Sequence, residues 1–312
     1  TGATSLPQIR EVLALGIPGD QLGLYVATLL ILGGFAFKIA AVPFHFWCPD
    51  VYQGAATPVT ALLSVAPKAA GMAIALRFFY GTYSLPVTGA WDLAGIMDWP
   101  ALLIVLSVAT MTLGNIAALT QNDMKRLLAY SSIAHAGYIL MGIVALSDDG
   151  ARSVLIYLFA YLFMNLGAFL VVTLVHLHEG TFDLRDYPGL YRRAPLLVVA
   201  MAFFMLSLVG IPPLVGFLGK LYVFGAVVAM GSGYYWFAAV GAVNAAIAGY
   251  YYLRVLKVMI IDAGNEEKPP LKLAFADRAW VVFFAAANLL PILFWSHIDE
   301  WARDALVMYA GR

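Results

Sequence analysis

The sequence predicts an all-α polytopic membrane protein with about eight transmembrane helices, two of them discontinuous. Three observations carry that reading. Of 312 residues, 62% are hydrophobic and only 12% are charged. A soluble domain of this size carries about 25% charged residues, so too few polar groups remain here to cover a water-facing surface. Apolar runs of the roughly 20 residues needed to cross a bilayer recur eight times. Two of those runs are broken by prolines, the first at Pro43 and the sixth at Pro212 and Pro213, and such a break is tolerated at membrane depth only where protein or a water-filled cavity satisfies the freed backbone groups.

The chain opens with "TGATSLPQIREVLALGIPGD", read as an extracytoplasmic loop over residues 1–21 with a short amphipathic stretch. It lacks an initiator Met and the basic-then-apolar layout of a signal peptide, so the chain is expected to begin inside a longer protein. A helix bundle follows over residues 22–298, with spans at 22–42, 58–80, 99–119, 126–146, 152–176, 195–230, 234–261 and 279–298. Residues 299–312 read as a C-terminal tail. The first span ends at Pro43, and "HFWCPDVYQGAATP" makes a polar re-entry before the second. The sixth is too long for one simple crossing and carries "GIPPLVGFLGK", with Pro212 and Pro213 in its middle. Broken helices of this kind belong to transporters; a hinge without transport is the plainer alternative.

Charge placement narrows the function. The net charge is zero, so nothing in bulk argues for nucleic acid or acidic partners. The single cysteine, Cys48, excludes a disulfide framework and a thiolate-bound iron–sulfur cluster within this chain. No glycine-rich phosphate loop opens a helix after a strand, and no metal ligand set is expected. In the loops, ten lysines and arginines between Lys125 and Arg278 fall on one side. The other side has five: Arg10, Arg77, Arg152, Arg303 and Arg312. The richer side is expected to be cytoplasmic, with both ends of the chain outside. The remaining three cations, Lys38, Lys68 and Lys220, fall inside apolar spans, and no Asp or Glu sits deep in any of the eight.

A lysine at the centre of a membrane helix costs about 2.5–3.5 kcal/mol on insertion scales. Snorkelling to the interface is the bland alternative, and apolar sequence on both sides of Lys68 makes it the weaker one there. An ammonium without a carboxylate in a low dielectric gives up its proton more readily than one in water. Three such groups on different helices read as stations on a proton path, and the proline near each exposes carbonyls that can orient an ammonium. His135, in "SSIAHAGY", could bridge Lys68 and Lys220 or simply be a packed, hydrogen-bonded histidine. Tyr130, Ser131 and Ser132 could carry water or bond to carbonyls one turn back. Tyr157, Tyr161 and Asn165 lie at helical spacing and could line the same route, but read first as packing. His45 is expected at the interface, and His176, His178 and His297 near span ends receive no role. The Trp and Tyr residues near span ends fit anchoring in the bilayer interface.

The run "FKIAAVPFHFWCPDVYQGAATPVTALLSVAPKAAG" resembles the antiporter-like membrane subunits of respiratory complex I. "NDMKRLLAYSSIAHAGYILMGI" and "GIPPLVGFLGKLYVF" are two further blocks of that family, in the expected order. The lysine of "SVAPK", where other members have histidine, is similar to the subunit N branch. Cys48 departs from the pattern, where a threonine or leucine is usual. The resemblance covers essentially the whole chain and implies the last part of a 14-helix antiporter-like fold. It implies that Lys38 is the lysine of the first broken helix, paired with a glutamate that this chain lacks. Lys68 then corresponds to the central channel lysine, and Lys220 to the lysine of the second broken helix. The implied partners are other membrane-arm subunits, including neighbouring antiporter-like ones. Flavin, iron–sulfur clusters and quinone belong to partner subunits, and no cofactor is expected in this chain. The implied activity is proton translocation driven by electron transfer from NADH or a related donor to quinone; a multi-subunit cation/proton antiporter is the alternative.

Overall fold

The computed structural model describes residues 1–16, 21–87, 90–94, 98–264 and 268–310; Arg312, counted above, lies outside them. Ser5 opens α1 (Leu6–Leu15), its Oγ accepting from the Gln8 N–H, which gives the amphipathic stretch expected in the first loop. The helix α2 (Gln21–Ile39) stops ahead of Pro43. The chain then turns through Ala40, held at φ 58°, a left-handed conformation unusual for a residue with a side chain. The polar re-entry is the short α3 (Trp47–Gly54). α4 (Thr57–Thr82) runs on through Pro67. An antiparallel hairpin of β1 (Ser84–Val87) and β2 (Ala90–Leu93), with Ser84 opposite Leu93, fills the next connection. The sequence reading contains no strand there. The hairpin is tied down by Trp91, whose Nε1 donates to Asp148 Oδ1 at 3.0 Å.

Three long helices follow: α5 (Trp99–Leu119), α6 (Met124–Val144) and α7 (Asp148–Glu179). Each is capped at its start by a side-chain oxygen, from Asp98, Asp123 and Ser147, satisfying a backbone N–H that no turn of helix can reach. After the short α8 (Leu190–Arg193), the overlong sixth run divides into α9 (Pro195–Val209) and α10 (Val215–Ala229). These are half-crossings of 15 residues each, with the two prolines between them. α11 (Tyr235–Ile260) has 26 residues, about 39 Å of helix, and carries Asn244 and Arg254. The last run starts earlier than expected, as α12 (Phe275–Leu289), and tightens into a 3-10 stretch at Leu290–Phe294 around Pro291. It then continues as α13 (Trp295–Ala310), so the segment read as a tail is helical to residue 310.

Among the described residues, six helical segments are long and apolar enough to cross a bilayer: α2, α4, α5, α6, α7 and the α12–α13 pair. The chain is an integral membrane protein. α6 is the axis of the bundle. Of its most apolar window 94% is buried, against 22% for α2 and 11% for α12–α13, so the last two leave apolar faces uncovered. α5 and α6 approach through two glycines. A Cβ on Gly114 would meet the Ala134 nitrogen at 2.6 Å, and one on Gly137 would meet the Met111 nitrogen at 2.6 Å. With little hydrophobic drive between helices in lipid, such backbone contact supplies the packing.

Candidate functional site

Two of the three intramembrane lysines lie inside the bundle: Lys68 on α4 is 2% exposed and Lys220 on α10 is 5% exposed. Each ammonium sits on the open end of a broken helix. Lys68 Nζ donates to the Ile39 carbonyl at 2.8 Å, the last of α2. Lys220 Nζ donates to Leu208 O at 3.0 Å and Val209 O at 2.6 Å, the last two of α9. The final carbonyls of a helix have no partner within it and form the negative end of its dipole. They can therefore hold a cation with no carboxylate present. Among the described residues neither lysine forms an ion pair. Gly210, at φ 91°, ends α9, and a Cβ there would stand 2.8 Å from Lys220 Cδ, so the lysine fills space that only glycine leaves.

The same arrangement recurs at the rim. Lys125 Nζ donates to Gln53 O at 2.9 Å and Ala55 O at 2.6 Å, closing α3. Arg254 donates to Leu119 O at 3.0 Å and to Gln121 O, closing α5. Lys38 differs. It occupies the last turn of α2 on an exposed face, and among the described residues its ammonium has no hydrogen bond or ion pair.

His135 stands at the centre, 1% exposed and within electrostatic reach of both Lys68 and Lys220. Its Nδ1 meets the Tyr157 hydroxyl at 2.9 Å and its Nε2 the Tyr252 hydroxyl at 3.1 Å. Tyr252 in turn bonds to Ser131 Oγ. The Lys220 ammonium lies 4.9 Å from the centre of the Tyr138 ring, which stands edge-on to His135 at 5.8 Å. On the Lys68 side, the Tyr161 ring lies 5.1 Å from His135. Ser132 lies beside the hydroxyls of Tyr161 and Tyr52, and among the described residues neither Ser132 Oγ nor the buried Tyr161 hydroxyl forms a hydrogen bond. Asn165 Nδ2 donates to Ser64 Oγ at 2.5 Å on the Lys68 helix.

Tyr157, read first as packing, bonds to His135, and Asn165 bonds to Ser64 on α4. Ser131 bonds across to α11 rather than to a carbonyl one turn back. His45, expected at the interface, is buried against Phe46. The reading missed Tyr252 and a second cluster around Asn115. There Asn115 Nδ2 donates to the Tyr138 hydroxyl at 3.0 Å, and the Tyr251 hydroxyl donates to Asn115 Oδ1 at 3.1 Å. Asn244 joins it, with its Oδ1 3.2 Å from Asn115 Nδ2. The available signal was an asparagine inside each of two apolar runs.

Comparison with known proteins places this geometry. A relative from Anaeromyxobacter sp. (strain Fw109-5), named NADH-quinone oxidoreductase subunit N, is 47% identical over 328 residues, covering 100% of this chain and 63% of its own. This chain spans about three fifths of the length of this and other curated relatives that it matches. Among solved structures, a chain of respiratory complex I from Thermus thermophilus with bound aureothin is 35% identical. It has a TM-score of 0.73 and covers 92% of this chain and 61% of that one. A chain of the Mrp complex from Dietzia sp. DQ12-45-1b has a TM-score of 0.83 at 21% identity, over 98% of this chain and 62% of that one, a likeness of fold alone. Residues 1–248 match the family described as "NADH:quinone oxidoreductase/Mrp antiporter, TM". That match takes in α1 to α10 and most of α11, with both helix breaks and their lysines, and the chain belongs to the NADH:quinone oxidoreductase/Mrp antiporter transmembrane family.

Proposed function

We propose that this chain is the proton-conducting part of subunit N of a redox-driven NADH:quinone oxidoreductase. Protons move along Lys38, Lys68, His135 and Lys220, with water completing the route. The observation that carries this reading is the pair of buried lysines, each on a helix-end carbonyl, with a histidine hydrogen-bonded at both nitrogens between them. A neutral imidazole has one donor and one acceptor nitrogen. A proton entering at one nitrogen and leaving from the other exchanges the tautomers and reverses both tyrosine bonds. Like charges in a low dielectric oppose one another, so a proton on Lys68 raises the cost of one on Lys220. A signal that moves either helix end can therefore drive a step at the other.

On this reading flavin, iron–sulfur clusters and quinone belong to partner subunits, and neighbouring membrane-arm subunits, antiporter-like ones among them, flank the chain. The membrane is the bacterial plasma membrane, with the basic loops cytoplasmic. The test replaces Lys68 with Met in the full-length gene and records NADH-driven proton uptake by membrane vesicles beside NADH oxidation, with assembly checked. Both rates are expected to collapse together, and Lys68→Arg to retain part of them. Unchanged rates in Lys68→Met would sink the proposal. The shared family and the Mrp-like fold favour a second reading, cation/proton exchange. It requires sodium-dependent proton movement in vesicles given no NADH.

A further inference from the structure

Each carbonyl that seats Lys68 or Lys220 stands four residues before a proline. Ile39, which takes Lys68, precedes Pro43; Leu208 and Val209, which take Lys220, precede Pro212 and Pro213. In an unbroken α-helix the N–H of one residue donates to the carbonyl four residues earlier, and proline has no N–H. The sequence thus withholds the helical donor from all three carbonyls that the two ammoniums use. The turns that close α2 and α9 leave these carbonyls open as well. There the Ala41 N–H returns to Ala36 O at 2.7 Å, and the Ile211 N–H to Leu206 O at 3.1 Å.

A break also releases backbone N–H groups, and at both breaks one of them goes to a fully buried hydroxyl. The Val42 N–H, whose helical acceptor would be Lys38 O, donates to Thr110 Oγ1 of α5 at 3.0 Å. The Gly216 N–H at the start of α10 donates to Ser207 Oγ of α9 at 3.1 Å, one residue before the Leu208 carbonyl. An N–H left unsatisfied at membrane depth is drawn back to the nearest carbonyls, where it competes with the lysine. We propose that Thr110 and Ser207 are positioning residues: their hydroxyls hold the two breaks open, so that the helix-end carbonyls stay free for Lys68 and Lys220. Their part in transport rests on the proton-conduction reading above, because they act through the lysines.

The test places Thr110→Val and Thr110→Ser in the complex assembled from the full-length gene. The first keeps the side-chain volume and loses the hydroxyl; the second keeps the hydroxyl and loses the methyl. NADH-driven proton uptake by vesicles is expected to fall about three- to tenfold in Thr110→Val, the reach of one hydrogen bond, and to stay near wild type in Thr110→Ser. A residue that only packs gives the reverse order, and that order would overturn the proposal. Cryo-EM of each assembled complex reads the seats whatever the transport rates. Lys68 is expected to leave Ile39 O in Thr110→Val and to keep it in Thr110→Ser; Lys68 still seated in Thr110→Val would sink the latch. Ser207→Ala repeats the test at the second break, with Lys220 leaving Val209 O, and decides the matter if Thr110→Val does not assemble. Lys68 displaced in Thr110→Val, with wild-type uptake in Lys68→Met, would support the latch and count against conduction through Lys68.

Discussion

Gly210 and Lys220 make the sharpest residue-scale case. Gly210→Ala adds one methyl 2.8 Å from the Lys220 stem at a backbone angle that L residues rarely adopt. It should displace the ammonium from its carbonyls while leaving every charge in place. Proton uptake per NADH oxidised is expected to fall, and equal coupling in mutant and wild type would show that the contact with Leu208 and Val209 is incidental. Tyr252→Phe removes the hydroxyl that serves both His135 and Ser131. It should slow turnover and spare assembly, as measured by NADH oxidation in vesicles from equal amounts of complex. The lysines and His135 were legible as sequence because a charge or an imidazole in an apolar run is costly and stands out. Tyr252 was not, since a tyrosine fits a membrane helix equally well as an anchor and as a relay. Only the fold brings α11 against the middle of α6.

At the scale of elements, the break between α9 and α10 depends on close return of the chain. A Cβ on Gly216 would stand 1.9 Å from the Ser207 carbonyl, and the Gly216 N–H donates to Ser207 Oγ at 3.1 Å. Gly216→Ala is expected to cost about 1–3 kcal/mol by overpacking, seen as a lower unfolding temperature of the complex. The cluster that joins α5, α6 and α11 should be equally sensitive. Asn115→Leu removes the Asn115 partner of the Tyr138 and Tyr251 hydroxyls and of Asn244 Oδ1, at about 1–3 kcal/mol for each buried polar group left unsatisfied. Both breaks were readable from prolines at membrane depth. The hairpin of β1 and β2 was not, because the bond that ties it down, from Trp91 to Asp148, joins residues 57 apart along the chain.

Across the whole molecule, the last helix is clamped to the bundle. Arg152 at the start of α7 reaches Asp149 at 2.8 Å and Asp299 of α13 at 3.4 Å, and Asp299 also accepts from Arg303 at 3.0 Å. Trp295 adds a bond from its Nε1 to the Tyr222 hydroxyl at 2.8 Å. Asp299→Ala should make α13 accessible to protease on the side opposite the basic loops. A digestion pattern unchanged from wild type would assign the anchoring to apolar contacts such as Phe159 with Trp301. Orientation can be read with cysteines introduced into this chain, whose own Cys48 is fully buried. Asp186→Cys should react with an impermeant maleimide only in inside-out vesicles, and Asp92→Cys only in right-side-out vesicles. The reverse labelling would invert the assignment of the basic loops.

The helix-end seats of Lys68 and Lys220 have one more consequence. A carboxylate partner would be left as a stranded buried anion each time its lysine lost a proton, a penalty of several kcal/mol. A carbonyl carries no net charge, so a departing proton leaves behind only a weakened hydrogen bond. Such a seat tolerates the occupied and the empty state alike, which lets one residue be loaded and discharged repeatedly without rebuilding the protein around it.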